Sequence, residues 1–203
     1  MVLLGFFSFL LLRITLEYIP IRYDAAFLMI KQHVINIVHW RVAFFVHVFT
    51  SMFVLPAGFT QFSPTVLKRW PKLHRVMGYI YVTDILLVTG PASLIMSFYA
   101  NGGIYSQTAF VILAVLWWYC TLTALLKIRR RDIQAHRAFM IRSYALTLSA
   151  VTLRAWKFAI VYIAHPHPME VYRAVAWLGW TINIAAAELI IYRKMKKQFL
   201  KWI

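Results

Sequence analysis

Six long runs of mostly apolar residues follow one another along this chain, separated by short segments that hold most of the charged residues. A helix needs about 20 such residues to cross a bilayer, so each run predicts a transmembrane helix. Pro56 and Gly58 lie inside the second run, and we expect a bend there because proline removes a helix hydrogen bond. The pattern predicts an all-α integral membrane bundle, a single polytopic domain over residues 1–203. Its six transmembrane helices are expected at about residues 2–18, 40–62, 74–99, 106–127, 138–164 and 170–192.

Lysine and arginine are concentrated in alternate segments between these runs. Cytoplasmic loops of membrane proteins carry an excess of these residues, so we expect both termini in the cytoplasm. Arg22, Lys31 and Arg41 disagree with this orientation, because they belong to the first outer loop. The three basic clusters also suit contact with the lipid bilayer through its anionic headgroups. They consist of Lys68, Arg69, Lys72 and Arg75, of Lys127, Arg129, Arg130, Arg131 and Arg137, and of Arg193, Lys194, Lys196, Lys197 and Lys201.

The composition supports a membrane protein and narrows its chemistry. Of the 203 residues, 62% are hydrophobic and 14% are charged, whereas soluble domains have about 45–50% and about 25%. The 22 basic and 6 acidic residues give a net charge of +16, but the basic residues lie between apolar runs and not along one face, which argues against nucleic-acid binding. Cys120 is the only cysteine, so a disulfide, a cysteine-rich zinc site and an iron–sulfur cluster within the chain are excluded. The chemistry must then come from the few polar residues inside the membrane.

His74 and His136 are the first candidates for a cofactor site. Each follows a basic loop, opens a predicted helix that runs outward, and precedes an arginine, Arg75 or Arg137. The two imidazoles should therefore lie at one depth on different helices. This arrangement suits axial ligation of a haem b, with the arginines facing its propionates. The alternative is a pair of interfacial histidines that bond to lipid headgroups.

A polar stripe runs along the fifth predicted helix. His136, Ser143, Thr147 and Arg154 return to within about 20° of one direction on an α-helix. An arginine that faces lipid is costly, so the stripe should face the interior of the bundle or a cavity. Arg142 points elsewhere and, being nearer the cytoplasmic surface, can extend to it.

A second group of polar residues is expected higher in the membrane. By helical rise, Asp84 lies about 15 Å above His74 and Arg154 about 27 Å above His136, while His47 lies about 21 Å above the inner end of its helix. We expect His47, Asp84 and Arg154 to form one site. There Arg154 holds an anionic ligand such as a haem propionate, and His47 serves as a hydrogen-bond donor, proton carrier or further axial ligand. The alternative is a structural Asp84–Arg154 ion pair that sets the helix register.

Seven short motifs occur in order from the second to the sixth predicted helix. They are FVH at 45–47, GFTQF at 58–62, LHRVMGYIY at 73–81, YANGG at 99–103, LWW at 116–118, HRAFMIRSYAL at 136–146 and AVTLR at 150–154. This ordered set resembles a family of predicted bacterial membrane proteins, the domain of unknown function 2306. In that family an arginine commonly follows the glycine of the first His-Arg motif, where this chain has Tyr79. The resemblance implies the same membrane fold and roles for His47, His74, Arg75, His136, Arg137, Arg142 and Arg154.

These features lead to one principal hypothesis and two alternatives. We expect a haem b-type membrane redox protein that carries electrons between a quinone or another small donor and a redox partner. The first alternative is a transporter or channel for a small molecule, an anion or a proton, with His47, Asp84 and Arg154 as its site. The second is a non-catalytic assembly subunit whose buried charges only set helix register. Neither the oligomeric state nor an enzymatic reaction follows from the sequence.

Overall fold

The described part of the chain is helical. The structure, a computed structural model, describes residues 2–199, and no strand occurs among them. The basic residues Lys196, Lys197 and Lys201 of the third predicted cluster lie outside the residues whose side chains are described. In chain order the elements are α1 (Val2–Leu16), a 3₁₀ helix (Ala26–Lys31), α2 (Val38–Val54), α3 (Ala57–Gln61), α4 (Pro64–Arg69), α5 (Pro71–Thr83), a π-helix (Asp84–Thr89), α6 (Gly90–Ser97), α7 (Ile104–Arg129), α8 (Ile133–Thr147), α9 (Ser149–Ala164) and α10 (Pro168–Phe199).

Several of these helices are long and apolar enough to cross a membrane. α8 and α9 together make one candidate span, bent by 41°. The first predicted helix, 2–18, is not confirmed as a span, because α1 has only 15 residues. Its length of about 22 Å is less than the roughly 30 Å of a hydrocarbon core. An all-α fold with several candidate spans is confirmed, but a count of six is not. The other four candidates are Val38–Gln61, Pro71–Ser97, Ile104–Arg129 and Pro168–Lys194.

Two spans depart from a regular α-helix. α2 ends at Val54 and α3 begins at Ala57, so the break falls at Pro56, where proline was expected to interrupt the helix. The third span contains the π-helix Asp84–Thr89, which the apolar pattern did not predict. A π-turn bonds residue i to residue i+5 and is frequent at functional sites.

The bend between α8 and α9 lies at Leu148 and is supported by α10. The Thr152 hydroxyl lies within hydrogen-bonding distance of the carbonyl oxygens of Leu148, at 3.1 Å, and of Gly179 on α10, and the first of these contacts is of the type that bends helices. The Asn183 amide on α10 donates to the carbonyl of Ala145 on α8 and to the Thr152 hydroxyl on α9, both at 3.0 Å. Polar side chains thus bond to the helix where its axis turns, which explains a bend in a segment without proline or glycine.

The chain divides into two compact units, unit 1 up to Tyr99 and unit 2 from Ala100 onward. In unit 2, α7 packs along α8, and α10 packs against α7, α8 and α9. In unit 1, α2 packs against the π-helix and α6. An aromatic and aliphatic core also ties the segment before α2 to the first half of that helix. Its buried residues are Tyr18, Leu28, Val34, Ile35, Trp40 and Phe44.

Candidate functional site

His74 lies in the first turns of α5 and is held by α3, within unit 1. Its Nδ1 is 3.3 Å from the carbonyl oxygen of Thr60. The Gln61 amide donates to the carbonyl of His74 at 2.9 Å. Gly78 leaves room for this amide, since a Cβ there would lie 3.1 Å from Gln61 Oε1. The end of the preceding span therefore fixes the position of His74.

His136 has a similar environment in unit 2. Its Nδ1 is 2.9 Å from the carbonyl oxygen of Ala124 on α7. Asp132 caps α8 by accepting a hydrogen bond from the Ala135 N–H at 3.0 Å, and this bond holds the pKa of Asp132 below its usual range. Arg137 follows His136 and is exposed, as Arg75 is after His74.

The hydrogen bonds of these two histidines select one ring nitrogen. A carbonyl oxygen can only accept, so Nδ1 carries the proton in both His74 and His136. In a neutral imidazole, Nε2 then holds the lone pair that binds a metal. Histidines that ligate metals in proteins are commonly oriented in this way, through a bond from the other ring nitrogen to a backbone carbonyl.

His47 on α2 has the same tautomer for a different reason. Ser93 on α6 donates its one hydroxyl hydrogen to the carbonyl of Thr89 at 2.6 Å. The 2.9 Å contact between His47 Nδ1 and Ser93 Oγ therefore needs the histidine as donor. All three histidines proposed as metal ligands thus have Nε2 as the basic nitrogen.

Asp84 opens the π-helix and shares a neighbour with His47. Its Oδ1 accepts a hydrogen bond from the Thr89 hydroxyl at 2.7 Å. That hydroxyl is 2.9 Å from the hydroxyl of Thr50 on α2. Thr89 therefore links Asp84 directly, and His47 through Ser93, into one polar cluster of unit 1. The sequence singled out His47 and Asp84 but not the hydroxyl residues that join them.

Arg142 has a partner that the sequence analysis missed. Its Nε and Nη2 donate to the two carboxylate oxygens of Glu188 on α10, at 2.6 and 2.8 Å. The guanidinium carbon also lies 4.9 Å from the centre of the Phe139 ring. Arg142 thus pairs with a neighbouring helix, and its extension to the membrane surface stays a prediction. A carboxylate inside the apolar run of the sixth predicted helix was the available signal.

The polar stripe of α8 faces α7. The Ser143 hydroxyl lies 2.7 Å from that of Thr121, and the Thr147 hydroxyl accepts a hydrogen bond from the Trp117 indole at 3.1 Å. These four side chains are buried. The stripe predicted from helical spacing is thus present as far as the end of α8.

Arg154 departs from this stripe because the helix axis turns at Leu148. It is exposed on α9 and donates to the carbonyl oxygen of Ala150. The expectation that it continues the inward face of α8 assumed a straight helix and is corrected. Arg154 lines a pocket of about 420 Å³ on one face of α9, together with Lys157, Phe158, Val161, Tyr162 and His165.

Two predicted approaches stay predictions, that of His74 to His136 and that of Asp84 to Arg154. Each joins a residue of unit 1 to a residue of unit 2. Between residues 2 and 199, no three side chains of histidine, cysteine, aspartate or glutamate lie close enough together to hold a metal ion.

A protein-family model matches most of the chain. The model described as predicted membrane protein (DUF2306) matches residues 44–191, from α2 into α10. The chain belongs to the DUF2306 family. No curated protein and no solved structure matches it. The resemblance inferred from the seven motifs is confirmed, and DUF2306 membership supports a location in a lipid bilayer.

The DUF2306 match covers every candidate site residue of the chain. It also covers the residues that only the structure connects to them, namely Thr50, Thr89, Ser93 and Glu188. The description of DUF2306 gives a membrane location and no reaction. A functional conclusion must therefore come from the side chains themselves.

Proposed function

We propose that this protein is a haem b-type membrane redox protein in which His74 and His136 are axial ligands through Nε2. The observation that carries the proposal is the pair of Nδ1 hydrogen bonds to the carbonyl oxygens of Thr60 and Ala124, at 3.3 and 2.9 Å. These bonds orient each ring and choose its ligating nitrogen before any ligand arrives. Two isolated interfacial histidines would not need this shared arrangement.

The two proposed ligand atoms, Nε2 of His74 and Nε2 of His136, suit a haem better than a bare metal ion. The porphyrin supplies the equatorial ligands, so the protein has to supply only the axial nitrogens. Arg75 and Arg137 follow the two histidines and are exposed. Their guanidinium groups would form charge-assisted hydrogen bonds to the propionates.

When bound, the haem would supply one-electron chemistry, with a quinone or another small donor and a redox partner on either side of the transfer. His74 and His136 would hold the haem through Nε2, and the arginines that follow them would neutralise the propionates of the haem. The hydrogen bonds to Nδ1 would raise the basicity of the two ligands and so help to set the reduction potential. Since His74 and His136 would take the two ligand positions of the haem, His47 would instead accept a hydrogen bond from the small donor at Nε2, because its Nδ1–H is bonded to Ser93.

A visible spectrum tests the proposal. The full-length protein, purified in detergent from cells supplied with haem, should show a Soret band and sharp bands after reduction with dithionite. His74→Ala and His136→Ala should each abolish or shift these bands. His33→Ala in unit 1 and His165→Ala in unit 2 are matched controls, because both histidines are exposed and outside the proposed site. Wild-type haem content in both ligand variants would exclude the assignment.

Gln61 allows a test that leaves both ligands in place. Its amide donates a hydrogen bond to the carbonyl of His74 at 2.9 Å, so Gln61→Ala should make the position of His74 less rigid. We expect this variant to retain haem and to shift its midpoint potential. A Gln107→Ala variant replaces a glutamine of α7 that holds neither histidine, and should keep the wild-type potential.

We also propose that six helices cross a bacterial inner membrane with both termini in the cytoplasm. The distribution of lysine and arginine supports this orientation. α1 is short, but its apolar side chains, among them Phe6, Phe9 and Leu16, are exposed. It lacks the charged face of an interfacial helix. A crossing by α1 would be accommodated by local thinning of the bilayer.

A further inference from the structure

The two oxygens of the Asp84 carboxyl group have very different surroundings. Oδ1 accepts a hydrogen bond from the Thr89 hydroxyl at 2.7 Å, and the Thr50 hydroxyl on α2 also interacts with the carboxyl group. Oδ2 is buried and has no hydrogen-bond partner among the residues that the structure describes. An ionised carboxylate has about four lone-pair sites to satisfy, so unit 1 leaves this one largely unsatisfied. Such a group is costly inside a membrane while it carries a charge.

No cation of unit 1 is paired with this carboxyl group in its described residues. The elements packed against the π-helix are α2, α5 and α6. His47 is linked to Asp84 through Ser93 and Thr89, and it directs its Nδ1–H at Ser93. The titratable and charged groups of these elements are His39, Arg41 and His47 on α2, and Lys72, His74, Arg75, Tyr79 and Tyr81 on α5, while α6 has none.

The π-helix is what brings Asp84 and Thr89 together. The two residues are five positions apart, which is the hydrogen-bonding interval of a π-helix. On an α-helix the same interval would separate them by about 140° around the axis. The irregular segment therefore places the Thr89 hydroxyl at Oδ1, while Oδ2 is buried without a partner among the described residues.

We propose that the Asp84 carboxyl group is an intramembrane proton-binding site, which takes up a proton at Oδ2 and releases it again. A hydronium ion transfers the proton to the carboxylate, which becomes a neutral carboxylic acid, and a water molecule is left. Release reverses this step, and neither direction needs an oxidant or a reductant. Thr89 holds Oδ1 by the same hydrogen bond in both states. The site stands on unit 1 alone and does not depend on the haem proposal.

Infrared spectroscopy of the full-length protein with ¹³C-labelled aspartate can observe this proton. The chain has three aspartates, Asp24, Asp84 and Asp132. The pKa of Asp24 is held below its usual range by a hydrogen bond from Arg22. The pKa of Asp132 is lowered by the Ala135 N–H. Both therefore stay ionised between about pH 5 and pH 9, so a carboxylic-acid band in this range reports on Asp84.

We expect an isotope-sensitive C=O band of a carboxylic acid that changes reversibly with pH in this range. The band should be lost in Asp84→Asn and kept in Asp132→Asn. The absence of the band from the wild type, or its persistence in Asp84→Asn, would overturn the proposal. The haem content of the samples does not affect this result, so the two proposals succeed or fail separately.

Thr89→Val gives a second test that does not require Asp84→Asn to fold. Loss of the hydrogen bond to Oδ1 should move the C=O band of the protonated group to higher frequency. Thr83→Val is the matched control, because Thr83 is exposed and directly precedes the π-helix, and it should leave the band in place. An unchanged band in Thr89→Val would count against Asp84 as its source.

Discussion

Lys31 is a charged residue in an environment that disfavours its charge. It ends the 3₁₀ helix before α2, is 2% exposed, and donates from Nζ to the carbonyl oxygen of Tyr99. Burial lowers the pKa of Lys31 from 10.5 to about 8. Between these values the unfolded chain binds more protons than the folded one. The free energy of unfolding should therefore rise with pH in this window, by at most about 1.4 kcal/mol per pH unit.

Unfolding in detergent between about pH 7 and pH 10.5 measures this effect. The difference in stability between the wild type and Lys31→Met separates the contribution of Lys31 from that of other groups that titrate in this pH range. The difference should shift in favour of the wild type as the pH rises. Lys68→Met removes an exposed lysine, and the stability of this variant should vary with pH as that of the wild type does. A constant difference between the wild type and Lys31→Met across the window would contradict the expectation.

The Arg142–Glu188 pair allows a comparison of one lost charge with two. Glu188→Gln leaves the guanidinium without its counter-charge, whereas Arg142→Met with Glu188→Met removes both charges. We expect the single variant to lose about 1–3 kcal/mol and the double variant to lose less, because an uncompensated charge costs more than an absent pair. Thermal unfolding compares them. A single variant as stable as the double variant would show that the pair contributes nothing.

The sequence singled out residues more reliably than it paired them. His47, His74, Asp84 and Arg142 were predictable because polar side chains in apolar runs are rare and costly. The partner of Arg142 was not predictable. It depends on how α8 and α10 are rotated against each other, and the local pattern of neither helix specifies that rotation.

At the scale of elements, α10 approaches α9 closely at Gly179. A Cβ on this residue would lie 3.0 Å from the Cβ and 3.2 Å from the Cα of Leu153. Since the second atom belongs to the backbone of α9, the two helices would have to separate. We expect Gly179→Ala to cost about 1–3 kcal/mol, which exceeds the gain of up to about 1 kcal/mol in helix propensity.

Thermal unfolding in detergent measures this cost, and α1 offers a matched control. A Cβ on Gly5 would meet only the Phe59 ring, at 3.6 Å, which is an ordinary contact. Gly5→Ala should therefore be neutral or stabilising. Equal stability of the two variants would mean that α9 and α10 separate without cost.

The elements themselves were predictable where their cause is local. The lengths of the apolar runs predicted the candidate spans, and Pro56 predicted the break between α2 and α3. The π-helix depends on the pairing of Asp84 with Thr89, and the bend at Leu148 depends on a bond from Asn183. Such contacts between distant or irregularly spaced residues leave no period in the hydrophobic pattern, so the straight-helix spacing that linked Arg154 to the stripe was misleading.

At the scale of the whole molecule, the number of membrane crossings decides on which side of the membrane the N-terminus lies. Single cysteines at Val2, Ile104 and Arg130, all exposed, can be compared in a Cys120→Ala background. A membrane-impermeant thiol reagent applied to intact cells should label Ile104→Cys alone if six helices cross. Labelling of Val2→Cys as well would mean that α1 does not cross. Labelling of Arg130→Cys without Ile104→Cys would reverse the orientation.

The π-helix lets the third span absorb one residue. A π-turn contains about one residue more than an α-turn, so deleting one position within Asp84–Thr89 would allow a continuous α-helix and leave the residues after it in nearly the same orientation. Ser93 would then still face His47. Two members of the family that differ by a one-residue gap here would therefore present the same side chains of α6 to α2, although their sequences are out of step by one position.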